Sequence, residues 1–246
     1  MTHLNPTIVL VHGAFADSSS WNGVIQRLQA QSIEAVAVAN PLRSLRGDAA
    51  YLRDVIAGIG KPVVLVGHSY AGMVITEAAS GNDAVCALVY VCAFAPAHGE
   101  SAFALSAKFA GSTLAHALVT YPVSSGGNEF AIRQDLYPAQ FAADVPPTVA
   151  AVMAATQRPA TEAALAEGLA TDSPAWMKIP SWFVIGGDDR NIPPALQQFE
   201  AERAGARGIR QVPSGSHALP VSDPNVVAET IANAYEAVRI HSLAAS

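Results

Sequence analysis

Short runs of apolar and β-branched residues alternate along the chain with segments whose apolar residues recur at helical spacing. The runs predict strands at residues 7–11, 33–39, 62–66, 85–94, 181–185 and 209–212. The spacing predicts helices at residues 21–31, 48–59, 71–79, 194–204 and 226–238. Because uninterrupted apolar runs are typical of strands buried on both faces, we predict an α/β fold: a mainly parallel sheet flanked by helices on both faces.

The alternation stops between residues 97 and 178, a segment rich in alanine. Its pattern predicts helices at residues 102–118 and 147–155, and a hairpin that pairs residues 118–121 with 130–133 through a turn at 124–128. We interpret residues 97–178 as a mostly helical cap, inserted into a core domain formed by residues 1–96 and 179–246. The alternative is extra helical packing on one flank of the sheet.

Composition and charge narrow the classes of function. The chain has 246 residues, of which 51% are hydrophobic, enough for a large core in one domain with an insertion. Its net charge of −6 makes nucleic acid and anionic membranes poor partners. No signal-peptide pattern opens the sequence, and the longest apolar run, residues 84–95, is too short for a membrane span. We therefore expect a cytoplasmic protein, either a monomer or a homodimer.

Ser69 lies at a sharp turn between the third predicted strand and a helix. Gly67 and Ala71, two residues to either side, are small enough for a strained backbone that lifts the hydroxyl clear of the sheet. The helix N-terminus points free N–H groups at the same place, where they can stabilise an anion. This pattern indicates a nucleophilic serine, and a serine that only caps the helix is the alternative.

A serine hydroxyl becomes a good nucleophile when a base takes its proton and a carboxylate orients that base. Of the seven histidines, only His217 lies in a short loop after the last predicted strand and before the last helix. Two carboxylates, Asp188 and Asp189, follow the preceding strand. Adjacent turn residues point in different directions, so we expect one of them to face His217. We prefer Asp189, with Asp188 and then Glu100 as alternatives.

The chain order of Ser69, Asp189 and His217, each after a predicted strand, resembles that of α/β-hydrolase-fold serine esterases. The resemblance covers nearly the whole chain and is strongest to the small capped group containing plant methyl-ester esterases and hydroxynitrile lyases. It rests on four motifs: His12-Gly13-Ala14, Gly67-His68-Ser69-Tyr70-Ala71-Gly72, the G-x-x-D-x-x-I-P pattern from Gly186 to Pro193, and Gly215-Ser216-His217. Ala71 departs from the usual G-x-S-x-G pattern.

The resemblance also implies roles for individual residues. It favours Asp189 as the acid, and it implies an oxyanion hole formed by the backbone N–H groups of Ala14 and Tyr70. His12 is expected to shape the loop that carries Ala14, with direct proton transfer as the alternative. We expect Trp21 to pack in the core. Aromatic residues are the candidates to line the substrate pocket: Phe15, Tyr70, Phe94, Phe103, Phe109, Tyr121 and Trp176.

The expected reaction is hydrolysis of a small carboxylic ester through an acyl-enzyme. The related lyases add a threonine and a lysine where this chain has Gly13 and Ala218, so we do not expect cyanohydrin cleavage. The same three catalytic residues also serve cofactor-free perhydrolases, lactonases and amidases, and a ligand-binding receptor with little turnover is a further alternative. We expect no cofactor, and no metal, because no His/Cys/Asp cluster has ligand spacing.

Overall fold

The structure is a computed structural model that describes residues 5–124 and 126–244. Two parts of the predictions lie outside the described residues. They are residues 1–4, where the sequence shows no signal-peptide pattern, and Ser125, in the predicted hairpin turn. In chain order, the strands are β1 (Thr7–Val11), β2 (Ala35–Val38), β3 (Val63–His68), β4 (Val85–Val91), β5 (Leu118–Pro122), β6 (Asn128–Ile132), β7 (Ala160–Thr161), β8 (Ser181–Gly186) and β9 (Gly208–Val212). The α-helices are α1 (Asn22–Ala30), α2 (Leu45–Ile59), α3 (Ala71–Ala79), α4 (Ala102–Ser106), α5 (Leu114–Ala117), α6 (Tyr137–Phe141), α7 (Pro147–Thr156), α8 (Glu162–Ala166), α9 (Pro194–Arg203), α10 (Leu219–Ser222) and α11 (Pro224–Ala244).

The central sheet confirms the predicted fold class. Its six strands lie in the order β2-β1-β3-β4-β8-β9, and every pair is parallel. Side chains alternate along β1: Ile8 and Leu10 pack with α1 and α11 on one face, and Val9 and Val11 pack with α2 and α3 on the other. Trp21 is fully buried in the first of these layers, as predicted. Both faces of the sheet are therefore covered, which accounts for the uninterrupted apolar strands.

Residues 97–178 include a second, antiparallel sheet in the order β5-β6-β7. The predicted hairpin is confirmed, since Leu118 of β5 pairs with Ile132 of β6. The predicted helix at 102–118 is wrong, because α4 ends at Ser106 and α5 starts only at Leu114. Between them, Gly111 has a φ of +125°, a conformation that only glycine adopts readily and that no α-helix contains.

The end of β4 also differs from the prediction. The apolar run continues to residue 94, but the strand ends at Val91 because Cys92 has a φ of +44° and turns the chain. This turn brings the backbone N–H of Phe94 to the carbonyl of Ser69, at 3.3 Å. None of the described helices is long and apolar enough to cross a membrane.

Candidate active site

Ser69 sits in a strained strand-to-helix turn between β3 and α3. Its φ is +58°, in the left-handed region that costs a residue with a Cβ about 1–2 kcal/mol. Close packing requires glycine on both sides of the turn. A Cβ added at Gly67 would lie 2.7 Å from the carbonyl oxygen of Ala71, and one added at Gly72 would lie 2.0 Å from that of Phe94. These neighbours hold the Ser69 backbone in its strained conformation.

His217 and Asp189 form a buried hydrogen-bonded pair after β9 and β8. The ring Nδ1 of His217 lies 2.7 Å from Oδ2 of Asp189. The carboxylate is held in turn by the backbone N–H groups of Asn191 and Ile192, at 2.8 and 3.0 Å from Oδ1, and by Nε2 of Gln197, at 2.9 Å from Oδ2. Because every bond to this carboxylate comes from a donor, Asp189 is an acceptor in a fixed position, and Nδ1 of His217 carries a proton.

The other two candidate carboxylates lie elsewhere. The side chain of Asp188 is exposed, and its backbone N–H donates to the carbonyl of Gly215 at 2.9 Å. Glu100 pairs with Arg203, with the closer oxygen 2.8 Å from the guanidinium. Of the three, only Asp189 contacts His217.

The second ring nitrogen of His217, Nε2, is buried and has no hydrogen-bond partner among the described residues, Ser69 included. In a neutral imidazole whose proton is on Nδ1, Nε2 has a lone pair. A nitrogen in this state can accept a proton from a hydroxyl brought into reach, and such bonds often tighten only when substrate binds. Across residues 5–124 and 126–244, no group of three or more His, Cys, Asp or Glu side chains could hold a metal ion.

The backbone amides of Ala14 and Tyr70 donate no hydrogen bond to any described residue, although both residues are almost fully buried. Buried N–H groups without acceptors are rare in proteins. Gly13 keeps the Ala14 loop close to Ser69: a Cβ added at Gly13 would lie 2.6 Å from Cβ and 3.2 Å from Oγ of Ser69. Two backbone N–H groups without an acceptor among the described residues therefore belong to residues on either side of Ser69, one following it in the chain and one in the loop that packs against it.

His12 shapes the loop that carries Ala14. Its Nε2 accepts a hydrogen bond from the backbone N–H of Asn40 at 3.0 Å, and its Nδ1 donates to the carbonyl of Gly13 at 2.9 Å. Asn40 returns a third bond, from Nδ2 to the His12 carbonyl at 3.0 Å. Burial lowers the pKa of His12, which favours the neutral ring that this pattern requires. Both ring nitrogens are occupied by structural bonds.

Further residues that the sequence did not single out hold the His217 loop. His68 donates from Nε2 to the carbonyl of His217 at 2.8 Å, and the two ring centroids lie 4.7 Å apart. Burial, and then the proximity of His217, hold the pKa of His68 well below its ordinary value, so the ring stays neutral. Asp144, from residues 97–178, accepts hydrogen bonds from the backbone N–H of Ser216, at 2.9 Å, and from its hydroxyl. These contacts join segments distant in sequence, so no local pattern signals them.

A narrow cavity of about 50 Å³ opens next to Ser69. The predicted pocket residues Phe15, Tyr70, Phe94 and Phe103 line it, as does Ala14. The sequence analysis did not identify the remaining lining residues, most of them aliphatic: Ala102, Ser106, Leu114, Leu118, Leu165, Asn191 and Ile192. The cavity is therefore mainly apolar, with few polar groups.

Three of the predicted pocket residues do not line this cavity, and their assignment is corrected. Tyr121 is exposed on β5, where its hydroxyl donates to Glu129 at 2.7 Å. Trp176 donates its indole N–H to the carbonyl of Pro96 at 2.8 Å. Phe109 packs on the ring of Phe199, with centroids 5.6 Å apart. Each of these three side chains makes its contacts outside the cavity. The hydrophobicity of a residue does not show which contacts it makes in the fold.

Known proteins share this sequence pattern and this fold. A profile of the alpha/beta hydrolase family matches residues 8–230. An alpha/beta hydrolase of Aspergillus novofumigatus (strain IBT 16806), nvfD, is 33% identical over 265 residues, which span 96% of this chain and 100% of the relative. The solved structure of polyneuridine aldehyde esterase has a TM-score of 0.79 at 19% identity and covers 94% of this chain and 99% of its own. A methylesterase from Arabidopsis has a TM-score of 0.78 at 16% identity and covers 94% of this chain and 99% of its own.

Proposed function

Because the chain belongs to the alpha/beta hydrolase family, we propose that it is a serine hydrolase that cleaves small carboxylic esters through an acyl-enzyme. The observation that carries the proposal is the buried bond between His217 and Asp189, which leaves Nε2 of His217 as the free base. In this proposal Ser69 is the nucleophile, His217 the base and Asp189 the acid.

Acylation uses each group in turn. Nε2 of His217 accepts the hydroxyl proton as Oγ of Ser69 attacks the ester carbonyl carbon. The carbonyl oxygen becomes an oxyanion and binds the amides of Ala14 and Tyr70, which have no other acceptor among the described residues. The C–O bond then breaks, and the alcohol leaves with the proton returned by His217. Asp189 keeps Nδ1 protonated and stabilises the imidazolium.

Deacylation repeats these steps with water. His217 takes a proton from the water, whose oxygen attacks the acyl carbon, and the carboxylic acid leaves as Ser69 recovers its proton. The narrow apolar cavity favours a small acyl group with a hydrophobic body over a sugar or a phosphorylated group. Two relatives bear the names of esterases, which is in keeping with an ester as substrate.

Cyanohydrin cleavage fits this site poorly. The lyases of the resembled group carry a threonine at the position of Gly13, but a side chain there would come within 2.6 Å of Cβ of Ser69. They carry a lysine at the position of Ala218, and Ala218 is buried with 1% of its surface exposed. The chain therefore lacks the threonine and the lysine of these lyases, and it has no space for a threonine at the position of Gly13.

Steady-state hydrolysis of short-chain p-nitrophenyl esters tests the proposal. Since a serine nucleophile and its base act as a unit, Ser69→Ala is expected to lower kcat by about 10⁴-fold or more. Ser80→Ala, at the opposite end of α3, is the matched control and is expected to retain wild-type turnover. Turnover by Ser69→Ala at the wild-type rate would overturn the proposal. A wild type that binds esters without turning them over would favour the receptor alternative.

A further inference from the structure

Among the side chains that line the cavity beside Ser69, that of Asn191 has a buried nitrogen without a hydrogen-bond partner among the described residues. Asn191 lines the cavity and is 3% exposed, and its Nδ2 makes no hydrogen bond with any described residue. Its backbone is fixed, since the N–H of Asn191 donates to Oδ1 of Asp189 at 2.8 Å. The residue thus connects the loop of the acid to the wall of the cavity.

The hydrogen-bond network determines which end of the Asn191 amide is unpaired. Nε2 of Gln140 donates to the backbone carbonyl of Arg190 at 2.9 Å, and a carbonyl can only accept. Oε1 of Gln140 accepts from the hydroxyl of Thr113 at 2.8 Å. The Asn191 atom that faces Nε2 of Gln140, at 2.8 Å, must therefore be the acceptor Oδ1. Both N–H groups of the buried Nδ2 are therefore without an acceptor among the described residues.

A buried amide donor without an acceptor is costly, and an acceptor on a bound ligand removes that cost. The residues that line the cavity include no lysine, arginine or histidine. A carboxylate buried there would lack a cationic partner, so the site favours a neutral oxygen acceptor. Phe15, Phe94 and Phe103 line the same cavity and make its wall mainly apolar.

We propose that Asn191 is a specificity-determining residue whose Nδ2 donates a hydrogen bond to a second, neutral oxygen of the substrate, apart from the ester group. The substrate class is then a small ester whose otherwise apolar chain carries an ether, hydroxyl or keto oxygen. This inference rests on the proposed ester hydrolysis at Ser69 and adds the feature by which the cavity selects among esters.

The test compares two esters of equal length, p-nitrophenyl 3-methoxypropanoate and p-nitrophenyl pentanoate, which differ by an oxygen in place of a methylene group. The ratio of kcat/KM for the two esters is measured in the wild type, in Asn191→Leu and in Asn191→Ala. Because intrinsic reactivity is the same for every variant, a change in the ratio reports the protein's contribution. We expect both substitutions to lower the ratio by about tenfold, while pentanoate hydrolysis persists.

The outcomes separate this inference from the proposed function. If both variants hydrolyse the pentanoate ester and keep the wild-type ratio, the role of Asn191 is overturned and the proposed function stands. If the wild type hydrolyses neither ester, both fail. Hydrolysis of the pentanoate ester also shows that each variant is folded, and Asn191→Ala provides a second reading if the larger leucine disrupts the loop.

Discussion

Two neighbouring residues, Asp188 and Asp189, show how the turn after β8 gives identical side chains different environments. Asp189 is buried and accepts four hydrogen bonds, including the one from His217. The side chain of Asp188 is exposed to solvent. Chemical identity is the same, so any functional difference between them arises from position.

Replacing each aspartate with asparagine measures that difference. We expect Asp189→Asn to lower kcat by about 10⁴-fold, because an amide no longer holds the proton on Nδ1 of His217. Asp188→Asn, the matched control, should stay within about threefold, since surface substitutions have small effects. Steady-state kinetics on one p-nitrophenyl ester is sufficient, and a larger loss in Asp188→Asn would contradict the assignment of the acid.

At the scale of residues, the sequence predicted the location of a side chain best where that residue directly follows a strand of the central sheet. The contact between Asp189 and His217 could be predicted because parallel strands all end at the same edge of the sheet. Gln197 contacts Asp189 from the next helix, eight residues along the chain, whereas His68 and Asp144 hold the His217 loop from distant segments, and the identities of all three carry no local signal. Asn191 was equally hidden, since an asparagine in a turn usually serves the turn itself.

At the scale of elements, residues 97–178 supply part of the wall of the cavity beside Ser69 and also hold the loop of His217. Asp144 lies between α6 and α7 and binds Ser216, the residue before His217. The motif Gly215-Ser216-His217 indicated a loop after the last core strand, but nothing in it indicated which segment would hold that loop. The two short helices α4 and α5 were missed for a related reason, because the break at Gly111 interrupts an otherwise continuous helical pattern.

Removing the Asp144 contact tests its positioning role. We expect Asp144→Ala to lower kcat several-fold with little change in KM, because a partly exposed hydrogen bond to a carboxylate contributes about 1–2 kcal/mol to the position of the loop. Asp144→Asn keeps one acceptor oxygen and should recover part of the loss. Asp135→Ala, which removes a surface pair with Arg133, is the control within the same segment. A loss of thermal stability with unchanged kcat would indicate a purely structural contact.

At the scale of the whole molecule, one buried carboxyl ties stability to pH. Glu200 of α9 is fully buried, and neither of its oxygens has a hydrogen-bond partner among the described residues. Burial raises its pKa from the ordinary 4.5 to about 8. The guanidinium of Arg203 is 3.7 Å away, too far for a hydrogen bond, so burial outweighs the ion pair.

The sign of the effect follows from this raised pKa. The folded state binds the proton of Glu200 more tightly than the unfolded state, so the favourable contribution is complete below pH 4.5 and is lost as pH rises to about 8. We expect Glu200→Gln to remove this loss and to be more stable than the wild type at pH 9, by on the order of 5 kcal/mol at most. Chemical denaturation at pH 5 and pH 9 measures it, with Glu202→Gln on the same helix as control. Equal pH dependence in the wild type and Glu200→Gln would refute it.

Most of the architecture was predictable from the sequence, because the strands of the parallel sheet are apolar throughout and the helices alternate with them. The arrangement within residues 97–178 was less predictable from the sequence, since the short helices and strands of this segment are stabilised by packing against other parts of the chain. The same holds for Glu200, whose burial depends on the whole fold.

Covalent labelling of Ser69 tests the central claim most directly. A fluorophosphonate reacts with an activated serine, and intact mass spectrometry followed by peptide mapping locates the adduct. We predict one adduct on wild-type protein, at Ser69, none on Ser69→Ala, and slower labelling of His217→Ala because Nε2 no longer accepts the proton. Wild-type protein that takes up no label, or a Ser69→Ala variant that labels as fast as the wild type, would contradict the assignment of Ser69 as the nucleophile.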